Sequence, residues 1–183
     1  MSFYGLIKDD IARSHRLQGV KDLDVNFFHV LKSIFNFRFA PVLIYRITIF
    51  FSHYRLGFVA KIFSLLNIIF FGIEISTKLK IGSGLFFPHT VGTVLGAKTI
   101  GINCTIYQGV TLGAKNIDLI YNPENRPSIG DNVLIAAGAK VLGGITIGNN
   151  VTIAANAVVL NSVPDNCIVA GIPAKVIKEL NQV

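Results

Sequence analysis

The chain has 183 residues, 51% of them hydrophobic, and a formal charge of +7. That length holds one substantial domain with at most a smaller appendage. Two cysteines, Cys104 and Cys167, exclude a disulfide framework and a four-cysteine zinc site and read as small core residues.

The charge is unevenly placed. Residues 1–80 hold 11 Lys/Arg against 5 Asp/Glu and 12 of the 14 Phe, whereas residues 81–183 hold 6 against 5. A basic, Phe-rich front therefore precedes a nearly neutral back rich in Gly, Ile, Val and Ala. Net charge alone is a weak pointer to a partner, and no nucleic-acid motif accompanies it, so no nucleic-acid partner is expected.

Charges interrupt the N-terminal MSFYGLIKDDIARSHR before any apolar run develops, so it does not read as a secretion signal. Residues 2–18 predict a helix with its charges on one face, stopped by Gly19. Asp24 suits the N-cap of a second helix over 25–36. Pro41 fits the first turn of a third helix and Gly57 its stop. A fourth, very apolar helix runs from Phe58 to Phe71 and ends at Gly72. The run Ile62–Ile73 falls short of the roughly 20 residues that span a bilayer, so a cytoplasmic chain without transmembrane segments is expected. This front has two readings. One is a helical cap packed on the rest of the chain and on neighbouring subunits. The other is peripheral contact with the inner face of the cell membrane, with Arg38, Arg46, Arg55 and Lys61 facing anionic lipid. His15, His29 and His53 lack metal-ligand spacing and read as surface or packing residues.

The back keeps a beat. Ile129, Ile135, Val141, Ile147, Ile153 and Val159 follow at intervals of six, as do Val94, Ile100, Ile106 and Leu112, and more loosely Ile75, Ile81 and Phe87. A fixed short period marks a repeat architecture. Two residues before most of these stands another small or β-branched residue, for example Cys104, Val110, Val133, Ala139, Val151 and Ala157. Residues two apart share a strand face, so each hexad is a short strand with an inward pair. Gly101, Gly130, Ala136, Gly148 and Ala154 follow the key aliphatics, where the chain must turn. The expected fold class is mainly β: a helical region 1–73, then a coil of parallel strands over 74–183. A protruding loop over 115–128 breaks the beat, and a tail covers 164–183.

His89 is the only histidine in that half. It sits where the beat slips between Phe87 and Val94, and departures from a local pattern tend to mark functional sites.

The stretches IEISTKLKIGSGLFFPHT (73–90 with Thr90 last), TIYQGVTLGAK (105–115), IGDNVLIAAGAKVLGGITIGNNVTI (129–153) and VPDNCIVAGIPAKVI (163–177) resemble the hexapeptide-repeat acyltransferases. FAPVLIYRITIF (39–50) resembles the Tyr-Arg helix of the same enzymes. The resemblance implies a left-handed parallel β-helix, an exception to the usual crossover hand, acetyl-CoA as co-substrate, no metal, and a homotrimer with sites between subunits. Within the family the chain looks most like the serine acetyltransferases and the O-acetyltransferases of capsule, colanic acid and O-antigen.

By that resemblance His89 is the catalytic histidine. An imidazole can take the proton from an attacking hydroxyl and later protonate the leaving thiolate. Such a base needs an orienting partner, and Glu74 stands where serine acetyltransferases carry the aspartate of a His–Asp dyad. Ala114, Ala137 and Gly138 match positions lining the acetyl-CoA site, and Lys175 in Pro-Ala-Lys could meet a nucleotide phosphate. Two departures concern the acceptor. Pro88 replaces the Asp before the histidine, and Asn125-Arg126-Pro127 replaces an Arg-His-Pro run. Arg126 could contact the acceptor or a CoA phosphate. With no acid to hold an ammonium group, the expectation is transfer to a sugar or polysaccharide hydroxyl or a lipid-linked precursor, with serine as the alternative. A zinc carbonic anhydrase needs three histidine ligands and is excluded. A non-catalytic trimeric scaffold remains as a reading of another class.

Overall fold

The computed structural model describes residues 2–20 and 24–180. Met1, residues 21–23 and the last three residues of the tail lie outside the described residues.

Four helices open the chain: α1 (Phe3–Leu17), α2 (Phe27–Ser33), α3 (Ala40–His53) and α4 (Gly57–Phe71). Ser2 caps α1 by accepting the Gly5 amide. The cap of α2 is Asn26 rather than the expected Asp24, because Asn26 and His29 form a reciprocal pair of side-chain-to-amide bonds. Pro41 lies in the first turn of α3 as expected, but that helix ends at His53 and Gly57 opens α4. Gly72 closes α4 in the left-handed region, φ 61°, where a Cβ would be strained.

Helix α1 buries Ile7, Asp10, Ile11 and Ser14 on one stripe. Ile7 and Ile11 pack with Val25, Phe39 and Leu43 in a small cluster of their own. Helix α4 is apolar but for Lys61, Ser64 and Asn67, and it leaves Phe58 at 79% and Phe70 at 70% exposure. Among the described residues no helix is long and apolar enough to cross a membrane.

From Ile73 the chain winds through three parallel sheets in rotation. One holds β1 (Ile73–Ile75), β3 (Thr93–Leu95), β6 (Thr111–Gly113), β9 (Lys140–Leu142) and β12 (Val158–Val159). The second stacks β2 (Lys80–Ile81), β4 (Thr99–Ile100), β7 (Ser128–Ile129) and β10 (Thr146–Ile147). The third stacks β5 (Thr105–Ile106), β8 (Leu134–Ile135), β11 (Thr152–Ile153) and β13 (Cys167–Gly171). Strand β14 (Ala174–Glu179) folds back antiparallel on β13.

The six-residue beat is the inward column of each sheet. Ile81, Ile100, Ile129 and Ile147 lie in register, as do Ile106, Ile135, Ile153 and Val169. Each side chain buried this way contributes about 1.5–3 kcal/mol. One member was misread. Val94 faces outward at 37% exposure, and the inward residue of β3 is Leu95, in register with Ile75 and Leu112. The beat is therefore stretched after Phe87 and shortened before Ile100.

Two kinds of corner hold the coils together. Gly101, Gly130 and Gly148 stack, and a Cβ on Gly101 would come within 2.6 Å of the Gly130 carbonyl. The next corner runs on asparagine: Asn103, Asn132, Asn150 and Asn166 all adopt positive φ, which Asn tolerates. Asn132 Nδ2 donates to Asn150 Oδ1 at 3.1 Å, and Asn150 Nδ2 to Asn166 Oδ1 at 2.8 Å. Both cysteines are buried and free, and burial pushes the Cys104 thiol up to about 11.

Candidate functional site

His89 sits on a strap, Phe87 to Val91, between the third sheet and the first. Upstream, Phe86 bridges to Thr105, and the Phe87 ring is fully buried in the coil core. Pro88 is half-buried and His89 exposed. Downstream, Thr90 Oγ1 donates to the Phe71 carbonyl at 2.7 Å and the Gly92 amide to the Gly72 carbonyl at 2.9 Å. The imidazole is thus presented at a corner of the coil, beside the C-terminus of α4.

Glu74 lies one coil away. It is the outward residue of β1 and pairs in register with Val94. Among the described residues no hydrogen bond joins it to His89. Glu74 instead lines a cleft of about 450 Å³ between α4 and the first sheet, with Ser64, Ile68, Thr111, Tyr121 and Arg126 on its walls.

The protruding loop closes one side of that cleft. Its order comes from Arg126, which donates to Asp118 Oδ2 at 3.1 Å, to the Asp118 carbonyl at 3.2 Å and to the Gly96 carbonyl at 2.9 Å. The guanidinium also lies 4.1 Å from the centre of the Tyr121 ring, whose hydroxyl donates to the Ala97 carbonyl at 2.7 Å. The Asn122 amide, and then Arg126, hold the Asp118 carboxyl below its usual range. Arg126 therefore serves the loop's own fold. Asn125 ends a single 3-10 turn, Pro123–Asn125, and is exposed. At the loop tip Ile117, Leu119 and Ile120 are almost fully exposed.

The residues matched to the acetyl-CoA site fall on three places. Ala114 follows β6, and Ala137 and Gly138 form the turn between β8 and β9. The Ala114 and Ala137 amides donate to no main-chain carbonyl among the described residues, whereas the Gly138 amide is engaged by the Gln108 carbonyl. Lys175 is exposed on β14, opposite Ala170. No cluster of three or more His, Cys, Asp or Glu side chains suited to a metal ion occurs among the described residues.

One functional group escaped the sequence reading. Asp10, one of the charges of α1, is fully buried, and Arg46, which one of the two readings of the front set facing lipid, is only 4% exposed. Arg46 Nε donates to Asp10 Oδ2 at 2.9 Å, and its other nitrogens donate to the Ile81 and Gly82 carbonyls at 2.8 and 2.6 Å. Asp10 Oδ1 accepts the Gly84 and Leu85 amides at 2.7 and 3.0 Å. The available signal was the stripe Ile7, Asp10, Ile11, Ser14, which puts Asp10 on the apolar side of the helix. The neighbouring Tyr45 donates to the Leu79 carbonyl at 2.8 Å.

Comparison with known proteins places this architecture. Residues 126–161 match the family model for bacterial transferase hexapeptide repeats (six repeats). The serine acetyltransferase of Staphylococcus xylosus is 52% identical over 121 residues, which are 66% of this chain and 55% of that protein. The chain thus spans about half the length of the curated relatives it matches. The serine acetyltransferase of Neisseria gonorrhoeae superposes over 99% of this chain and 68% of its own, with a TM-score of 0.83 and 27% identity. That of Brucella abortus strain S19, solved in complex with coenzyme A, covers 99% of this chain and 70% of its own, with a TM-score of 0.80 and 30% identity.

These likenesses overturn the expected sugar or polysaccharide acceptor and the resemblance to capsule and O-antigen enzymes, since the relatives are serine acetyltransferases. The physical reason is that the inference rested on two departures, Pro88 and the Asn125-Arg126-Pro127 run, weighed without the fold. Pro88 removes one acid, but the fold brings other carboxylates, Glu74 and Asp118, together in the cleft between α4 and the first sheet. The three-sheet coil expected from the beat is the left-handed parallel β-helix that the resemblance implies, and the chain belongs to the hexapeptide-repeat acyltransferases, the family of the serine acetyltransferases.

Proposed function

We propose that this chain is a serine O-acetyltransferase, moving the acetyl group of acetyl-CoA to the hydroxyl of serine. The observation that carries the reading is the 52% identity to the Staphylococcus xylosus enzyme over 121 residues. His89 removes the hydroxyl proton as the oxygen attacks the thioester carbonyl, and returns it to the thiolate as the tetrahedral intermediate collapses. Glu74, one coil away, is the candidate to orient the imidazole once substrate draws the two together; apo geometry at such sites is often loose. The free amides of Ala114 and Ala137, the small Gly138 and the exposed Lys175 are the candidates to hold the pantetheine and phosphates of CoA. Pro88, Asn125 and Arg126 border the acceptor, with Arg126 acting through the loop it orders. In this reading residues 74–183 carry the transfer site, with the loop 115–128 and the tail 164–183 at its edges, and residues 1–73 support it.

The test is acetyl-CoA-dependent thiol release with L-serine, free sugars and a de-acetylated polysaccharide as separate acceptors. Serine alone is expected to stimulate release. Absence of any serine-dependent release would sink the reading.

A homotrimer with sites shared between subunits is part of the same proposal. The exposed aliphatic loop tip and the apolar outer face of α4 support it, because contiguous apolar surface of this kind marks contact sites. Light scattering is expected to give three times the chain mass, and a monodisperse monomer retaining full turnover would refute it. A second reading of the α4 face is peripheral contact with an anionic membrane, favoured by the lack of any Asp or Glu between Asp24 and Glu74. Failure to bind anionic vesicles at low salt removes it.

A further inference from the structure

The strap that carries His89 is thinly held. From Phe87 to Val91 no main-chain amide donates to a main-chain carbonyl among the described residues, and Pro88 has none to give. Outside this strap and the protruding loop, sheet pairing fixes the chain of the coil every few residues. The strap is held at its two ends, partly by the coil, where Phe86 bridges to Thr105 and the Val91 carbonyl accepts the Gly109 amide, and partly by the helical region. Upstream, Asp10 of α1 accepts the Gly84 and Leu85 amides, and Arg46 of α3 donates to the Ile81 and Gly82 carbonyls, so the corner leading into the strap is built on the helices. Downstream, Thr90 Oγ1 closes on the Phe71 carbonyl, a group left free by the end of α4. Thr90 is 8% exposed and is the residue next to His89.

We propose that Asp10 and Thr90 are positioning residues for the base, two clasps by which the helical region sets where the His89 imidazole stands. The inference rests on His89 being the base. The Thr90 clasp is the more direct, because loss of one hydroxyl frees the strap within a single residue of the imidazole. Asp10 acts farther off, by fixing the corner from which buried Leu85 and Phe87 run into the strap. A misplacement of about 1 Å at a reacting group can cost on the order of 100-fold in rate. A loosened clasp that leaves the other in place is expected to cost about tenfold.

Thr90→Val keeps the shape of the side chain and removes the donor, whereas Thr90→Ser keeps the donor. The full chain carrying each is measured for kcat, for KM of acetyl-CoA, and for the His89 ring resonances by NMR. Thr90→Val is expected to lose about tenfold in kcat with KM for acetyl-CoA unchanged and to shift or broaden the His89 ring signal, with Thr90→Ser restoring both. Asp10→Asn retains an acceptor for the two amides, so it is expected to keep more kcat than Asp10→Ala in whatever fraction folds. A Thr90→Val enzyme with wild-type kcat and an unmoved ring signal overturns the clasps, as does a loss that Thr90→Ser shares in full. Full activity of His89→Ala overturns the reading underneath instead, so the two failures are told apart.

Discussion

His89→Ala is expected to lower kcat for serine acetylation by about 100- to 10,000-fold, the range that general-base catalysis supplies. A serine hydroxyl is a poor nucleophile at neutral pH, and without a base its proton must leave to water as the C–O bond forms. The KM for acetyl-CoA is expected to hold, because the groups proposed to bind CoA are main-chain amides and small residues on other coils. Stability is expected to hold as well. His89 is exposed and packs in no core, and surface substitutions away from special features fall within about 0.5 kcal/mol. Loss of turnover without loss of melting temperature separates a catalytic histidine from an incidental one on a scaffold. Turnover within threefold of the parent would leave the scaffold reading in place.

Arg46→Met is expected to produce the largest loss of stability, about 3–5 kcal/mol, the cost of leaving a buried charge without its partner. Asp10 is fully buried, and burial raises its carboxyl above the ordinary aspartate value even with Arg46 and two amides working in the other direction. Methionine fills much the same volume, so the loss reports the charge more than a cavity. The effect has a pH signature. Without Arg46 the folded-state carboxyl is raised further still, while the unfolded value stays near the model-peptide one. The penalty for folding an ionised Asp10 then grows as pH rises above that unfolded value, and shrinks as the carboxyl protonates on the acid side. The melting-temperature gap between parent and Arg46→Met is therefore expected to be wider near about pH 8 than near about pH 5. An equal gap at both would mean that the side chain contributes packing rather than charge.

The inward aliphatic columns were legible in the sequence because stacked coils repeat the same packing, and a repeat leaves a period that can be counted. The helices were legible in part from Pro41 and Gly72, whose local chemistry starts or stops a helix whatever surrounds it. Val94 was not, since the corner at His89 adds length that no count along the chain can place on one side of a strand or the other. The asparagine corner was missed for a similar reason. Nothing local tells an Asn in a stacked left-handed turn from one on an ordinary loop, and its partner lies a whole coil away.

The site divides along the same line. The chain alone picked out His89, because a single histidine at a break in a regular beat is visible in one dimension. It could not say what else would be near. The acceptor was misassigned by weighing Pro88 and the Asn125-Arg126-Pro127 run without the fold, when the folded chain brings Glu74, Asp118 and Arg126 to one cleft and spends Arg126 on its own loop. Asp10 and Arg46, 36 positions apart, are paired by nothing local in the sequence and become partners only because α1 and α3 pack against the first coil. The sequence by itself determined the coil and the place of its histidine, since both rest on local spacing and repetition. Which charges are buried, which loop is pinned and what steadies the strap were decided only by the tertiary structure, because those depend on contacts between segments far apart in the chain.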